Sequence, residues 1–310
     1  MTTFDDVRAA AARIAPFVHR TPVFTSRSLD EWLGCHAFMK AEHLQRVGAF
    51  KYRGATNAVQ SLSERDARDG VAAHSSGNHA AALARAASTR GIKCYVVMPH
   101  TVSAVKKSAV ERYRAHIDLS DNTVEAREAA LREVVNRTGA IEVHPFDNDR
   151  IIAGAGTAAL ELCEDVDDLD VVVAPVGGGG LCSGTCLAVH GMQPTVRIVG
   201  GEPLCADDAA QSLATGVRQP ARAPATIADG LLTSLSDRTF AILREHVERI
   251  VTVSEDEIVA AMRVVWERTK QLVEPSAAVA FAATRAAEFE GARVGIIASG
   301  GNVDLDALPF

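Results

Sequence analysis

The chain has 310 residues, 47% hydrophobic and 5% aromatic, with a formal charge of -7. That length suffices for two lobes or one large α/β domain. The charge leaves no basic stripe for nucleic acid, and no apolar run approaches the roughly 18 residues of a membrane span, so neither is an expected partner.

From the start, residues 1–13 mix Asp5, Asp6 and Arg8 with alanines and predict an amphipathic helix without the apolar centre of a secretory leader. Strands are predicted at 38–40, 71–74, 94–98, 171–175, 196–200, 250–253 and 294–298. Alanine-rich helical patterns at 78–89, 123–137 and 255–270 fall between them. Near-continuous apolar strands alternating with helices predict an α/β fold whose parallel sheets are covered by helices, with glycines gathered where strands end.

The segment Gly48-Ala49-Phe50-Lys51-Tyr52-Arg53-Gly54-Ala55 precedes a helical pattern. Lys51 alone reads as a surface lysine, but its low-charge surroundings would allow a neutral amine. Strand 71–74 runs into Ser75-Ser76-Gly77-Asn78-His79, whose hydroxyls and free N–H groups either hold a carboxylate or simply cap the next helix. Gly154-Ala155-Gly156-Thr157-Ala158-Ala159 imitates a dinucleotide fingerprint, but only Arg150-Ile151-Ile152-Ala153 precedes it; it reads as a closely packed helix.

Strand 171–175 ends in Gly177-Gly178-Gly179-Gly180 and enters a helix. Leu181 follows where a P-loop would need Lys. Four residues without Cβ let successive N–H groups turn inward around a phosphate. Glu202 and Asp208, taken alone, read as solvated carboxylates, and residues 215–224, with Pro220 and Pro224, as a surface excursion. Ser299-Gly300-Gly301-Asn302 alone reads as a turn. The six cysteines form no CxxC pair and are expected to be small apolar residues in a reducing cytosol, with Cys182 and Cys186 sharing a helix face. Together, one amine, one anion cradle and two polar loops are the parts of a pyridoxal phosphate (PLP) site.

With these motifs assembled, the chain resembles the fold-type II PLP enzymes, the tryptophan synthase β-like group, and within them the serine racemase and serine/threonine dehydratase family, close to its 3-hydroxyaspartate dehydratase branch. The resemblance runs from His19-Arg20-Thr21-Pro22 to Asn302-Val303-Asp304-Leu305. It implies two lobes, each a twisted, mostly parallel sheet flanked by helices: a large PLP-binding lobe, 1–55 with 146–310, and a small mobile lobe, 56–145. A cytoplasmic homodimer is expected.

Carried over residue by residue, the resemblance makes Lys51 the Schiff-base lysine and places Phe50 near the cofactor ring. It implies that Gly177, Gly178, Gly179 and Gly180 bind the phosphate, that Asn78 contacts the 3′-oxygen and that Ser299 faces the pyridine nitrogen. Ser75, Ser76, Gly77, Asn78 and His79 would receive the substrate α-carboxylate. Glu202, the Ala206 carbonyl and Asp208 would bind Mg²⁺, Mn²⁺ or Ca²⁺, although Gly201 departs from the usual residue. A neutral Ser299 favours prompt loss of a β-hydroxyl, so the expected reaction is elimination from serine, threonine or 3-hydroxyaspartate. Ser76, where threonine-type dehydratases carry alanine, allows racemisation through Lys51 and Ser76 on opposite faces. A dicarboxylate substrate needs another cation, with Arg127 the candidate and Arg46 behind it. A non-catalytic PLP-binding protein is the reading from outside enzymology.

Overall fold

The computed structural model describes residues 2–75, 77–102, 104–221 and 225–310. Ser76 and the end of the 215–224 excursion, Arg222, Ala223 and Pro224, lie outside the described residues. The described residues 216–221 are mostly exposed, as expected of a surface excursion.

Two sheets organise the chain. The larger takes β1 (Val23–Phe24), β2 (His36–Lys40), β7 (Val171–Pro175), β8 (Arg197–Pro203), β9 (Arg249–Val253) and β10 (Arg293–Ile297), in the order β1-β2-β10-β7-β8-β9. Only β1 runs antiparallel to its neighbour. The smaller takes β3 (Val71–His74), β4 (Cys94–Pro99), β5 (His116–Ser120) and β6 (Ile141–Glu142), in the order β5-β4-β3-β6, all parallel.

Strand β7 shows why the large sheet is buried on both faces. Val171 and Val173 join one core with Val279 and Phe281, while Val172 and Ala174 join another with Leu162 and Val189. Alternate side chains thus meet helices on opposite sides, which an uninterrupted apolar strand requires. Leu162 is fully buried, and truncating it to alanine would cost about 2–5 kcal/mol.

Three strands escape the sequence reading. β1 and β6 have two residues each, too short for a pattern, and edge strand β5, HIDLS, is only partly buried and mixed in polarity. The N-terminal helix runs Phe4–Ile14 and starts in a capping box between Thr3 and Asp6, burying Val7, Ala10 and Ile14. Gly154 and Gly156 lie inside the helix Asp149–Asp165, as expected. A Cβ on Gly154 would stand 2.7 Å from the Gly54 Cα, and one on Gly156 2.6 Å from the Gly184 carbonyl oxygen. Glycine is therefore what lets the helices Lys51–Gln60, Asp149–Asp165 and Gly180–Met192 lie this close.

A buried charge network fastens this stack to β2. Arg53 forms a two-pronged pair with Glu42 at 2.7 and 2.8 Å, and another with Glu161 at 2.7 and 2.8 Å. Lys40 reaches Glu161 at 2.7 Å, and the Thr21 hydroxyl donates to Glu42 at 2.6 Å. Five cysteines are buried and only Cys205 is exposed.

Candidate active site

Parallel strands deliver their loops to one edge of a sheet, the edge at their carboxyl ends. β10 lies between β2 and β7, so the loop starting at Ser299 emerges between the segment leading to Lys51 and the glycine loop. Local pairing tightens the first junction: Phe50 N–H donates to the Ser299 carbonyl at 2.9 Å, and Ala49 bridges to Gly300. Lys51 then opens the helix Lys51–Gln60.

The Lys51 ammonium donates to the Pro145 carbonyl at 2.9 Å and lies 5.1 Å from the Phe50 ring centre. Burial pulls its pKa down to about 8, against the nearby charge of Glu274. The neighbouring residue, Phe146, packs over the glycine loop: a Cβ on Gly178 would lie 2.4 Å from its ring, and one on Gly180 2.9 Å from its Cβ. A Cβ on Gly177 would lie 2.9 Å from the Leu231 Cα, and Gly179 has φ 82°. The loop is walled so closely that side chains are excluded, and its end is the start of the helix Gly180–Met192. Such a cradle, with an amine one residue of loop away, fits a phosphate-bearing aldehyde such as PLP.

The segment 144–147 that joins amine to cradle is missing from the sequence reading. Its turn is held by His144, whose Nδ1 accepts N–H bonds from Phe146 and Asp147, and whose pKa burial lowers to about 4. The sequence signal was a Pro-Phe pair just before a helix cap, Asn148.

On the other side of the cleft, Gly77 caps the helix Asn78–Arg90, and its N–H donates to the Ser75 hydroxyl at 3.3 Å. The Asn78 amide donates to Glu274 at 2.8 Å and accepts from the Asn302 side chain at 2.8 Å. His79 Nε2 donates to the Val143 carbonyl at 2.9 Å, leaving the buried Nδ1 without a partner. Burial first, and then the Lys51 charge, lower His79 to about 3, so the ring is neutral. Arg127 lies on the helix Val124–Thr138, and its charge, after burial, helps lower the pKa of His74 beside Ser75. Arg46 sits in the turn Arg46–Gly48 with its buried Nε unpartnered. Glu274, absent from the sequence reading, is buried here.

The two remaining carboxylates are not the solvated groups their sequence alone suggested. Glu202 is 1% exposed and Asp208 5%, and burial raises them to about 8 and about 6. Glu202 accepts N–H bonds from Ala209 and Ala210 at 3.0 and 2.8 Å, while Asp208 Oδ2 is buried without a partner. Between them the turn Leu204–Ala206 ends. Buried negative charge with an orphaned oxygen suits a hard cation. Among the described residues no cluster of three or more His, Cys, Asp or Glu side chains is placed for a metal, so carbonyl and water oxygens would have to complete the set.

Residues 14–300 match the family model described as pyridoxal-phosphate dependent enzyme. The chain is 48% identical over 310 residues to a β-hydroxyaspartate dehydratase of Paracoccus denitrificans, covering 99% of this chain and 98% of that one. It is 44% identical to an L-threo-3-hydroxyaspartate ammonia-lyase of Saccharomyces cerevisiae, covering 98% and 94%. The crystal structure of a serine racemase from Dictyostelium discoideum superposes with a TM-score of 0.94 at 45% identity, over 98% of this chain and 99% of that one.

Proposed function

Since the chain belongs to the family of pyridoxal-phosphate dependent enzymes, we propose that it is an ammonia-lyase converting a β-hydroxy amino acid, 3-hydroxyaspartate foremost and serine or threonine next, into a 2-oxo acid and ammonia. The observation that carries this reading is the Lys51 amine, lowered to about 8 and held by the same loop that covers the glycine cradle. PLP, when bound, supplies the aldehyde that holds the substrate amine and the ring that accepts the electron pair left at Cα.

Gly177 to Gly180 would hold the phosphate by their N–H groups, with Ser299 a neutral partner for the ring nitrogen, Asn78 a partner for the ring oxygen and Phe50 beside the ring. The Lys51 amine would take the Cα proton at Nζ. The loop Ser75, Ser76, Gly77, Asn78 and His79 would receive the α-carboxylate through hydroxyls and N–H groups, since His79 is neutral. Arg127, on the helix Val124–Thr138 and close enough to act on His74 at the end of β3, receives the second carboxylate of a dicarboxylate substrate. Glu202, Asp208 and the Ala206 carbonyl would hold a divalent cation, which would neutralise their buried charge. The lobe 56–145 closes over the substrate, and the protein works as a cytoplasmic homodimer. No helix among the described residues is long and apolar enough to cross a membrane.

Lys51→Ala should remove turnover while the protein stays folded. The check is 2-oxo acid release from L-serine, L-threonine and the 3-hydroxyaspartate diastereomers, beside circular dichroism; normal turnover would end the proposal. The serine racemase relative favours a second activity, inversion at Cα with Ser76 as the opposite acid–base group. Ser76→Ala should then lose racemisation by roughly 10²–10⁴-fold while elimination from the L-substrate survives.

A further inference from the structure

Glu274 precedes the helix Pro275–Ala286 at the N-cap position, yet its side chain makes no capping bond to that helix. It turns away instead. One oxygen accepts from the Asn78 side chain at 2.8 Å, and the other from the Asn302 backbone N–H at 2.9 Å. Its own N–H donates to the Gly300 carbonyl at 3.0 Å. A Cβ on Gly300 would lie 2.6 Å from Glu274 Oε1, so the glycine at 300 is what admits this carboxylate.

The partners close a ring across the cleft. Asn302 donates both to the Asn78 side-chain oxygen at 2.8 Å and to the Val47 carbonyl at 2.8 Å. Asn78 begins a helix packed on the small sheet, whereas Glu274 and Asn302 belong to loops of the large one. Both edges of the Asn78 amide are thereby assigned, and the amide cannot flip without breaking two bonds. The carboxylate is only 4% exposed, and burial raises its pKa to about 7. The charged groups that act on it are Asp229 and Lys106, which pair with each other at 2.6 Å, and it acts in turn on Lys51. Leaving a carboxylate in so enclosed a place is costly unless its bonds are needed.

We propose that Glu274 is a positioning residue for the elimination: its carboxylate, bonded to the Asn78 side chain and the Asn302 N–H, locks the Asn78 amide in one orientation toward the cofactor, and its negative charge lies within electrostatic reach of the Lys51 amine. The proposal rests on the lyase reading above. Two consequences are separable, because one depends on shape and the other on charge.

The experiment uses PLP-loaded enzyme and the variants Glu274→Gln, Glu274→Asp and Asn78→Ala, followed by visible absorption of the lysine-linked cofactor against pH and by kcat and KM. Glu274→Gln should retain the absorption band but move its titration midpoint down by about one to two pH units, as expected for loss of a nearby opposite charge. Its kcat should fall roughly 10²-fold with KM little changed, the scale of an ångström-level misplacement. Glu274→Asp should restore the midpoint but not kcat, since the charge stays and the reach shortens. In the Asn78→Ala background, Glu274→Gln should add little further loss, because the two act as one unit.

A wild-type midpoint and kcat in Glu274→Gln would overturn the proposal. An additive loss with Asn78→Ala would overturn action through Asn78. Should Glu274→Gln fail to fold, full activity in Glu274→Asp would overturn the clamp by itself. A wild-type protein that binds PLP without a visible band, or releases no 2-oxo acid, would instead sink the lyase reading.

Discussion

Two pairs of enclosed carboxylates, one beside the end of β2 and one at β8, are treated differently: Glu42, Glu202 and Asp208 are buried and Glu161 is partly so. Glu42 and Glu161 face Arg53 and Lys40, whose positive charge outweighs burial and lowers the Glu161 pKa. Glu202 and Asp208 have only backbone N–H donors and a neighbouring Asp207, so burial wins and both are raised. The first pair is completed by the chain's own cations, and it fixes the helix that carries Lys51. The second is left short of positive charge, which points outward to a metal ion as its missing member.

The largest expected effect breaks the completed pair. Arg53→Met should cost about 3–5 kcal/mol in urea denaturation, because Glu42 stays buried without its partner. An effect within experimental error would mean the network contributes nothing. Next comes the incomplete pair: Mg²⁺, Mn²⁺ or Ca²⁺ at a hundred times its Kd should add about 2.7 kcal/mol, and Glu202→Gln should abolish that gain. A melting temperature indifferent to both cation and chelator would remove the cation.

The pH slopes should then differ in sign. The folded Glu202 pKa, about 8, lies above the unfolded value of roughly 4.3, so its contribution is full below that lower value. It is lost as pH rises through 8, at up to about 1.4 kcal/mol per pH unit, and a saturating cation should cancel the loss. Glu161, lowered on folding, contributes above the unfolded value and loses its contribution as pH falls through the folded one. Because Asp208 and Glu274 are also raised, the first slope is isolated as the difference between chelated wild type and chelated Glu202→Gln, titrated between about pH 5 and pH 8. Smallest is the rim: Arg20 pairs with Glu164 and Asp165 but is half exposed, and Arg20→Ala should cost less than about 1 kcal/mol.

What sequence could reveal followed from local physics. The strands 71–74 and 171–175 were legible because continuous apolar runs end at polar or glycine-rich loops; Lys51, the four glycines and Ser299 were singled out because their motifs are short and contiguous, and the roles proposed for Lys51 and Ser299 come from the family resemblance. Edge strand β5 was hidden by its mixed polarity. Glu274 was hidden for another reason: an acid before a proline and an alanine-rich helix resembles an ordinary N-cap, and its partners lie 196 and 28 residues away. The burial of Glu202 and Asp208 was equally invisible, since their local sequence is that of a surface turn. Pairings across such distances exist only once the sheets have assembled.

The glycine contacts between helices have a consequence for how ligands are selected. The amine sits at the head of one helix and the phosphate cradle at the head of another, and a third helix spaces them through Gly54 against Gly154 and Gly156 against Gly184. With backbone against backbone there is no flexible side chain to give way, so the interval between the two heads is a fixed gauge. On the proposed reading, a molecule would be accepted only if its aldehyde and its phosphate matched that interval. A single added methyl inside the stack, such as Gly154→Ala, should then weaken PLP binding without altering a residue proposed to touch the ligand.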